Sequence, residues 1–428
     1  MINYTKGISK NGNVLVTKSL QKLIDSSSYL YIKKGIYLTG PLFLHSDMVL
    51  DFEDGAILLA TTNEKNYKDI KTRVAGIEME WYPAILNAIN CENITIKGKG
   101  IIDGNGLYWY TKYWGLDTKG GMRKEYDSKG IRFLCDYDCK RPRNILIQNS
   151  KNIGIENITS KDSGFWNIHI LYSSFINIYD VKIDSGYELS PSTDGIDIDS
   201  SHDIIIDNVI SKTNDDSICI KSGRDYDGIR VNKPSYNIEI KNSEILQGFG
   251  ITIGSELSGG IYDINIHDIK YYNTDCAFRI KSSINRKGYV NNIKVNNLNC
   301  LNVKYLFHIN LNWNPNYNNG TLNNLNIKMK DYYKLLLMTD ETKENTNIDN
   351  IYISNVNSNY ESNYNGISRV FHIEGFDDKY INNIYLDNSN IKAIEYGLIK
   401  NINNLKISNT NIETKTDIIE ENNEYDNR

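Results

Sequence analysis

The chain has 428 residues, a formal net charge of −5 and six cysteines. That mild acidic balance is not the basic one of a nucleic-acid binder, so an acidic ligand would have to be drawn by a local cationic patch rather than by the whole molecule. No stretch reaches the ~18 apolar residues of a membrane span, and no secretory leader is visible. The expectation is therefore a cytoplasmic protein with no membrane or nucleic-acid partner, or a secreted one if a leader has been removed. Its oligomeric state is not legible.

In chain order, Asn13–Ser28 reads as an entry helix: Thr17 can cap it, and Leu20, Leu23 and Ile24 give an apolar stripe. Such a helix would cover the bare edge of a first coil. From about Asn87 a theme recurs in which Asn or Asp precedes a short alternating apolar run. Examples are Asn93–Ile96, Asn152–Ile155, Asn177–Val181, Asp203–Ile206, Asn237–Ile240, Asp263–Ile266, Asn292–Val295, Asn324–Ile327, Asn350–Ile353, Asn383–Leu386 and Asn404–Ile407. The spacing, mostly roughly 20 to 35 residues, marks a solenoid. Runs this short fit strands. The four-stranded hairpin blades of a propeller are not signalled, so the expectation is an all-β, single-domain, right-handed parallel β-helix over 1–428. It has an N-terminal cap helix and a frayed polar tail over 414–428. The recurrent Asn residues read as stacked amides at turns.

Two segments break the rhythm. Tyr67–Leu86 and Tyr108–Pro142 read as loops on one face, the latter with Trp109, Tyr110, Tyr113 and Trp114 and the basic run Lys140–Arg143. These aromatics suit either sugar stacking or packing of the loops onto the coils. Cys135 and Cys139 have no matching Cys/His pair elsewhere, which favours buried thiols or one local disulfide over zinc.

The stretch 191–281 holds four fragments with an apolar-x-apolar pair: Ile196/Ile198, Ile218/Ile220, Ile251/Ile253 and Phe278/Ile280. Residues two apart share a strand face, so the pairs stack as inward rungs. The same alignment puts Asp194, Asp216 and Phe249 at one position of successive rungs. Asp215 lies beside Asp216, and Arg279 and Lys281 point outward one rung on. With strands about 4.8 Å apart, three carboxylates fall within roughly 5 Å of their neighbours. One carboxyl can then protonate a leaving oxygen while another, ionised, activates water, as glycoside hydrolysis requires. Crowding raises the proton affinity of one member, and the proton belongs to the cluster. An acidic ladder can also hold Ca²⁺; the adjacent cations argue against it, so no metal and no cofactor is expected. His169, between two inward isoleucines, faces outward, toward a cleft or into solvent. Lys221, Arg224 and Arg230, then Arg286 and Lys287, would extend the cationic cleft, with Glu256 a partner for one of them.

The fragments Ser192-Thr193-Asp194, Asp215-Asp216, Gly248-Phe249-Gly250 and Arg279-Ile280-Lys281 resemble, in order, the Asn-Thr-Asp, Asp-Asp, Gly-His-Gly and Arg-Ile-Lys motifs of the polygalacturonases, the family-28 glycoside hydrolases. Upstream, Gly35–Leu42 and Gly98–Gly104 are similar too. The resemblance implies an inverting, metal-free hydrolase of galacturonate-containing pectic glycans, with exo-action on oligomers left open. In it Asp215 is the general acid, Asp194 and Asp216 hold and activate the water, and Arg279 and Lys281 bind the galacturonate carboxylate. Two departures stand out: Ser192 replaces Asn, and Phe249 replaces the family His. The second leaves open that His169 or His202 takes over, that the substrate is rhamnogalacturonan or another pectic glycoside, or that the site is an inactive sugar binder. A Ca²⁺-dependent pectate lyase and an adhesive, tailspike-like β-helix are the alternatives of other classes.

Overall fold

A computed structural model describes residues 3–116, 120–318, 328–421 and 423. The chain divides into two compact units, residues 1–74 with 78–215 and residues 75–77 with 216–428. The division falls between Asp215 and Asp216.

The first unit is built of parallel coils. On one side, strands Met48–Phe52, Glu92–Gly98, Lys151–Glu156, Ser174–Tyr179 and His202–Asp207 pair in register, Met48 with Ile94, Ile94 with Ile153, Ile153 with Ile176 and Ile176 with Ile204. All five side chains are buried. On the other side, Leu86–Ile89, Ile145–Gln148, Ile168–Leu171 and Ile196–Asp199 stack with Leu86, Ile145, Ile168 and Ile196 aligned. Inward pairs of branched apolar residues thus make a continuous column that no single coil could bury alone.

The second unit repeats the scheme. Strands Ser235–Gln247, Ile261–Tyr272, Tyr289–Leu301 and Asn347–Asn359 align Ile238, Ile264, Ile293 and Ile351. Strands Ile218–Lys221, Ile251–Ile253, Cys276–Lys281, Tyr305–Asn310 and Arg369–Glu374 align Ile218, Ile251, Phe278, Phe307 and Phe371.

The recurrent Asn and Asp are explained by backbone conformation. Asp47, Asn93, Asn152, Asp203, Asn237, Asp263, Asn292, Asn350, Asn383 and Asn404 all hold φ between 52° and 66°. That left-handed region costs most L residues about 1–2 kcal/mol, and Asn and Asp tolerate it best. Their side chains also stack, Asn152 donating to Asn93 at 2.7 Å, Asn93 to Asp47 at 2.7 Å and Asn404 to Asn383 at 2.6 Å. In the run 174–179 the position falls on Phe175 (φ 56°), so Asn177 sits inside the strand, not at the turn. The repeat Asn324–Ile327 lies outside the described residues.

Helix α1 spans Thr17–Asp25 and buries Leu20 and Ile24. Thr17 is not its cap: its hydroxyl accepts from Gly40 N at 2.7 Å instead. Gln21 closes a strand edge, donating to Phe43 O at 2.7 Å and accepting from Phe43 N at 2.8 Å. The tail is less frayed than its polarity suggests, since Thr416–Glu421 adds a parallel strand to Glu395–Lys400; residues 424–428 lie outside the described set. Among the described residues no helix is long and apolar enough to cross a membrane.

Neither interrupting segment is an irregular loop. Residues 70–81 form two paired strands, and the second segment folds into helices α2 (Gly106–Trp114), α3 (Gly121–Ser128) and α4 (Arg132–Asp138). Trp109, Tyr110 and Tyr113 are buried, so these three pack the helices down rather than face a ligand. Cys135 and Cys139 are free thiols packed on Tyr113, and burial pushes both above the ordinary thiol value. No disulfide joins them.

Candidate active site

In the second unit the register aligns Thr252 with Arg279 on the outward face, opposite the inward column. Lys281 points the same way, two residues on. Asp216 stands two residues before Ile218, at the mouth of that face, and is 1% exposed. Lys281 Nζ lies 2.6 Å from Asp216 Oδ2, Arg279 Nη1 lies 3.9 Å from Oδ1, and Thr252 donates to Oδ1 at 2.8 Å. Burial pushes the Asp216 carboxyl up, but Lys281, Arg279 and Lys221 outweigh it and hold the group below the usual carboxylate range. Asp216 is thus an anion at working pH, fit to polarise a water and unfit to carry a transferable proton.

Arg279 also pairs with Asp275 and lies over the Phe249 ring, 5.3 Å from its centroid. Phe249 therefore does something a protonated histidine could not, offering a π-face to a cation. Lys281 Nζ lies 4.6 Å over the ring of Trp313.

The first unit holds Asp194 and Asp215. Asp194 stands two residues before Ile196, and its carbonyl accepts from Asn167 N at 2.8 Å. Its residue is 3% exposed, whereas Asp215 is half-buried. The turns that carry them touch: Thr193 Oγ1 accepts from Asn214 N at 3.3 Å, and Asn214 Nδ2 donates to Glu188 O and Ser190 O at 2.8 and 3.1 Å. Arg141, fully buried, donates to Pro191 O at 2.6 Å and reaches Ser192 Oγ at 3.4 Å. Ser192 itself is left-handed, φ 54°. In this chain a buried arginine thus fixes the turn in which Ser192 replaces the motif's Asn.

Several residues read as cleft-lining are not so. His169 is fully buried, not solvated: Nδ1 lies 2.6 Å from Arg143 and Nε2 3.5 Å from Asp199, with Trp166 edge-on to the ring. Arg143 and Arg141, from the basic run, are buried with it, because strands 70–81 and helix α4 supply acceptors: Arg143 reaches Thr72 Oγ1 and Tyr82 O, and Arg141 reaches Asp136. Arg73 completes the cluster at 2.8 Å from Asp199.

Arg224 is also fully buried, bonded to Asp225 at 3.3 Å and to Tyr317 O at 3.1 Å. Arg286 binds Asp225, Asn318 and Ser255 O. Both hold the chain together rather than extend a cleft. Gly76 belongs to this knot: its carbonyl accepts from Arg224 N at 3.0 Å, and a Cβ there (φ 82°) would meet Arg224 Cβ at 2.5 Å and Glu256 Cγ at 2.7 Å. Glu256 lies 3.8 Å from Lys221; burial pushes it up, but Lys221, Arg286 and Arg224 prevail and keep it ionised. Arg230 pairs with Asp227 at 2.6 Å, Lys287 donates to Asn345 at 2.8 Å, and His202 bonds Asp203 at 2.7 Å.

Thr252, Asp275 and Trp313 escape a reading of the sequence. Thr252 was legible in principle, as the outward residue between Ile251 and Ile253 in the register of Arg279. Trp313 was not, since no local pattern brings a residue 32 positions on to Lys281.

Comparison with known proteins gives the same architecture. A family model described as glycosyl hydrolases family 28 matches residues 70–359. A probable polygalacturonase of Vitis vinifera is 29% identical over 325 residues, 72% of this chain and 62% of its own length. An exo-poly-alpha-D-galacturonosidase of Dickeya chrysanthemi is 27% identical over 318 residues, 66% and 52% of the two chains. This chain thus spans between about half and two thirds of the length of those two curated relatives. Among solved structures, an exopolygalacturonase of Thermotoga maritima superimposes with a TM-score of 0.76 at 23% identity, covering 98% of this chain and 92% of that one. A family 28 exopolygalacturonase of Yersinia enterocolitica gives 0.82 at 19%, covering 99% and 78%. These two share the fold, a parallel β-helix. Since the match takes in some two thirds of the chain and spans all four motif fragments between 192 and 281, the chain belongs to the glycosyl hydrolases of family 28.

Proposed function

We propose that the protein hydrolyses glycosidic bonds of galacturonate-containing pectic oligosaccharides or polymers with inversion. Asp215 donates the proton to the leaving oxygen; Asp194 and Asp216 hold and activate the attacking water; Arg279 and Lys281 take the sugar carboxylate. The observation that carries this reading is the buried Asp216 carboxylate held ionised by Lys281 at 2.6 Å with Arg279 at 3.9 Å. Such a group is poised as a base beside cations that suit a uronate. The half-buried Asp215, less enclosed than its neighbour, suits the group that must exchange its proton with each turnover. The names of the relatives in Vitis and Dickeya favour galacturonan, and exo-action on oligomers agrees with the second.

Phe249, standing where the family motif has His, supports a second reading, a substrate of the rhamnogalacturonan kind. The test is product analysis on homogalacturonan, rhamnogalacturonan and their short oligomers. Saturated reducing ends of inverted configuration support hydrolysis; an unsaturated uronate would mean a lyase, and binding without new reducing ends an inactive site.

A further inference from the structure

Three strands of the second unit, Ile218–Lys221, Ile251–Ile253 and Cys276–Lys281, set Cys219, Thr252 and Arg279 side by side. Ile251 and Ile253 fill the inward column, so the strand period turns Thr252 outward. It is fully buried there. A buried hydroxyl costs free energy unless it is hydrogen-bonded, and a strand position that only packs is served by valine. Thr252 donates its one hydrogen to Asp216 Oδ1 at 2.8 Å. Branching at Cβ restricts χ1, so the hydroxyl is aimed at that oxygen rather than swept past it.

Each oxygen of Asp216 thus has its own donor. Oδ1 takes Thr252, and Oδ2 takes Lys281 Nζ at 2.6 Å. Arg279 stands further off, 3.9 Å from Oδ1. Cys219 Sγ is 3.5 Å from Oδ2 but has a nearer acceptor, Gly254 O at 3.0 Å. The terminal torsion of an aspartate is broad and roughly two-fold. A single donor leaves the carboxyl plane free to swing about that bond. Two donors on different oxygens, carried by different strands, fix it. They use two of the roughly four acceptor positions of a carboxylate, and the rest then point in set directions. The two holds differ in what else they must do. Lys281 has three donors, and in the proposed reaction it also serves the sugar carboxylate; the single hydrogen of Thr252 goes to Asp216.

We propose that Thr252 is a positioning residue: its hydroxyl keeps the Asp216 carboxylate in the orientation that activates water while Lys281 turns part of its hydrogen bonding to the uronate. This role rests on the proposed part of Asp216 in holding the attacking water. The charges that face Asp216 are Lys281, Arg279 and Lys221, with Asp275 engaging Arg279. Cys219 and the adjoining Asp215 are the other titratable groups beside it. Thr252 carries no charge, so its removal changes the hold on Asp216 and leaves those charges in place.

The test is steady-state kinetics of Thr252→Val and Thr252→Ser on the pectic substrate that the unmutated protein cleaves, with Asp216→Asn and the Thr252→Val/Asp216→Asn double variant alongside. Thr252→Val is expected to lower kcat about 10- to 100-fold, the worth of a hydrogen bond to a charged group, with KM within about twofold. Thr252→Ser keeps the donor and should recover most of that loss. In the Asp216→Asn background Thr252→Val should cost almost nothing further, because the group it positions is gone. A kcat within about twofold of the parent's, a loss that serine does not recover, or an equal loss in both backgrounds overturns the role. Should the valine variant fail to fold, Thr252→Ala takes its place with the same expected outcomes.

Acid unfolding adds a readout that a merely structural threonine would not move. Asp216 has its folded value below the unfolded one of about 3.9, so its contribution is present above that value and lost as pH falls through the folded one. Removing a donor to the charged form raises the folded value. Thr252→Val should therefore show a shallower loss of stability below about pH 4 than the parent, and a loss of unchanged depth overturns the hold. Absence of hydrolysis defeats the catalytic reading, and the acid unfolding then decides whether Thr252 holds Asp216. Full activity in Asp216→Asn defeats the assignment of Asp216 and the positioning role with it. A collapse of turnover in Asp216→Asn with parental kcat in Thr252→Val defeats the positioning role alone.

Discussion

Two clusters of buried charge stand on the outward faces of the same kind of strand, and they do different work. In the first unit, Arg73, Arg143, His169 and Asp199 are all fully buried, and their bonds run to Thr72, Tyr82, Ser200 and one another. In the second, Asp216, Arg279 and Lys281 keep a few per cent of their surface exposed, beside aromatic rings of Phe249 and Trp313 that are only partly covered. Charge of equal density is architecture where the covering strands 70–81 seal it, and available for chemistry where a ring stands in place of a lid. A sequence pattern of outward His, Arg and Asp residues cannot tell the two apart, because what decides is a segment distant along the chain.

The widest separation between the clusters should come from removing a proton donor and a structural cation in turn. Asp215→Asn should lower kcat on the true pectic substrate by about 10²–10⁴-fold, the usual worth of a general acid, with an unchanged melting temperature. Retention of most of the activity would remove Asp215 from the acid's role. Arg73→Leu should do the reverse, costing about 3–5 kcal/mol of stability by leaving Asp199 buried without its closest cation. Chemical denaturation measures that loss; a variant as stable as the parent would mean that the first cluster is not structural.

Much of this fold was open to reading from the sequence because it rests on short-range rules. Apolar pairs two apart dictated the register of Ile218, Ile251 and Phe278, which the pairing of those strands bears out. The Asn turns followed from a local backbone preference. The fate of Arg224 and Trp109 did not, since Arg224 bonds Tyr317 O, 93 positions on, and Trp109 lies in a helix where a loop was expected; nor did that of His169, whose neighbour Arg143 is held by Thr72 and Tyr82. The polar tail still adds a last strand, because a preformed edge at Glu395–Lys400 supplies its hydrogen bonds.

Acid should probe both clusters more gently. Asp199 and Asp216 are each pushed up by burial and held down more strongly by their cations, Arg73 for the first and Lys281 for the second. Their folded values lie below the unfolded carboxylate value of about 3.9. A depressed carboxylate contributes stability that is fully present above that unfolded value and fades as pH falls through the folded one. Unfolding free energy should therefore be level in this respect above about pH 5 and decline below about pH 4. Asp199→Asn and Asp216→Asn should each lower the plateau and flatten that decline, as denaturant titrations at several pH values would reveal. A decline as steep as the parent's in both variants would place its source elsewhere.

The smallest effect tests the ring that distinguishes the second cluster. With Arg279 5.3 Å over Phe249, Phe249→Leu should raise KM for a uronate substrate about two- to thirtyfold, the span of a cation–π contact from exposed to desolvated, and leave kcat nearly as it was. Phe249→His, which restores the family residue, should behave differently on either side of the ordinary imidazole value of about 6.5. Above it a neutral ring can still lie under the guanidinium. Below it two cations would face each other, and KM should climb as pH falls, a dependence that the phenylalanine protein lacks. A gain in turnover on polygalacturonate by the histidine variant would mark the chain as a galacturonan hydrolase that has drifted. A loss on every uronate substrate, at all pH values, would instead make the phenylalanine a working part of a site shaped for another pectic glycoside.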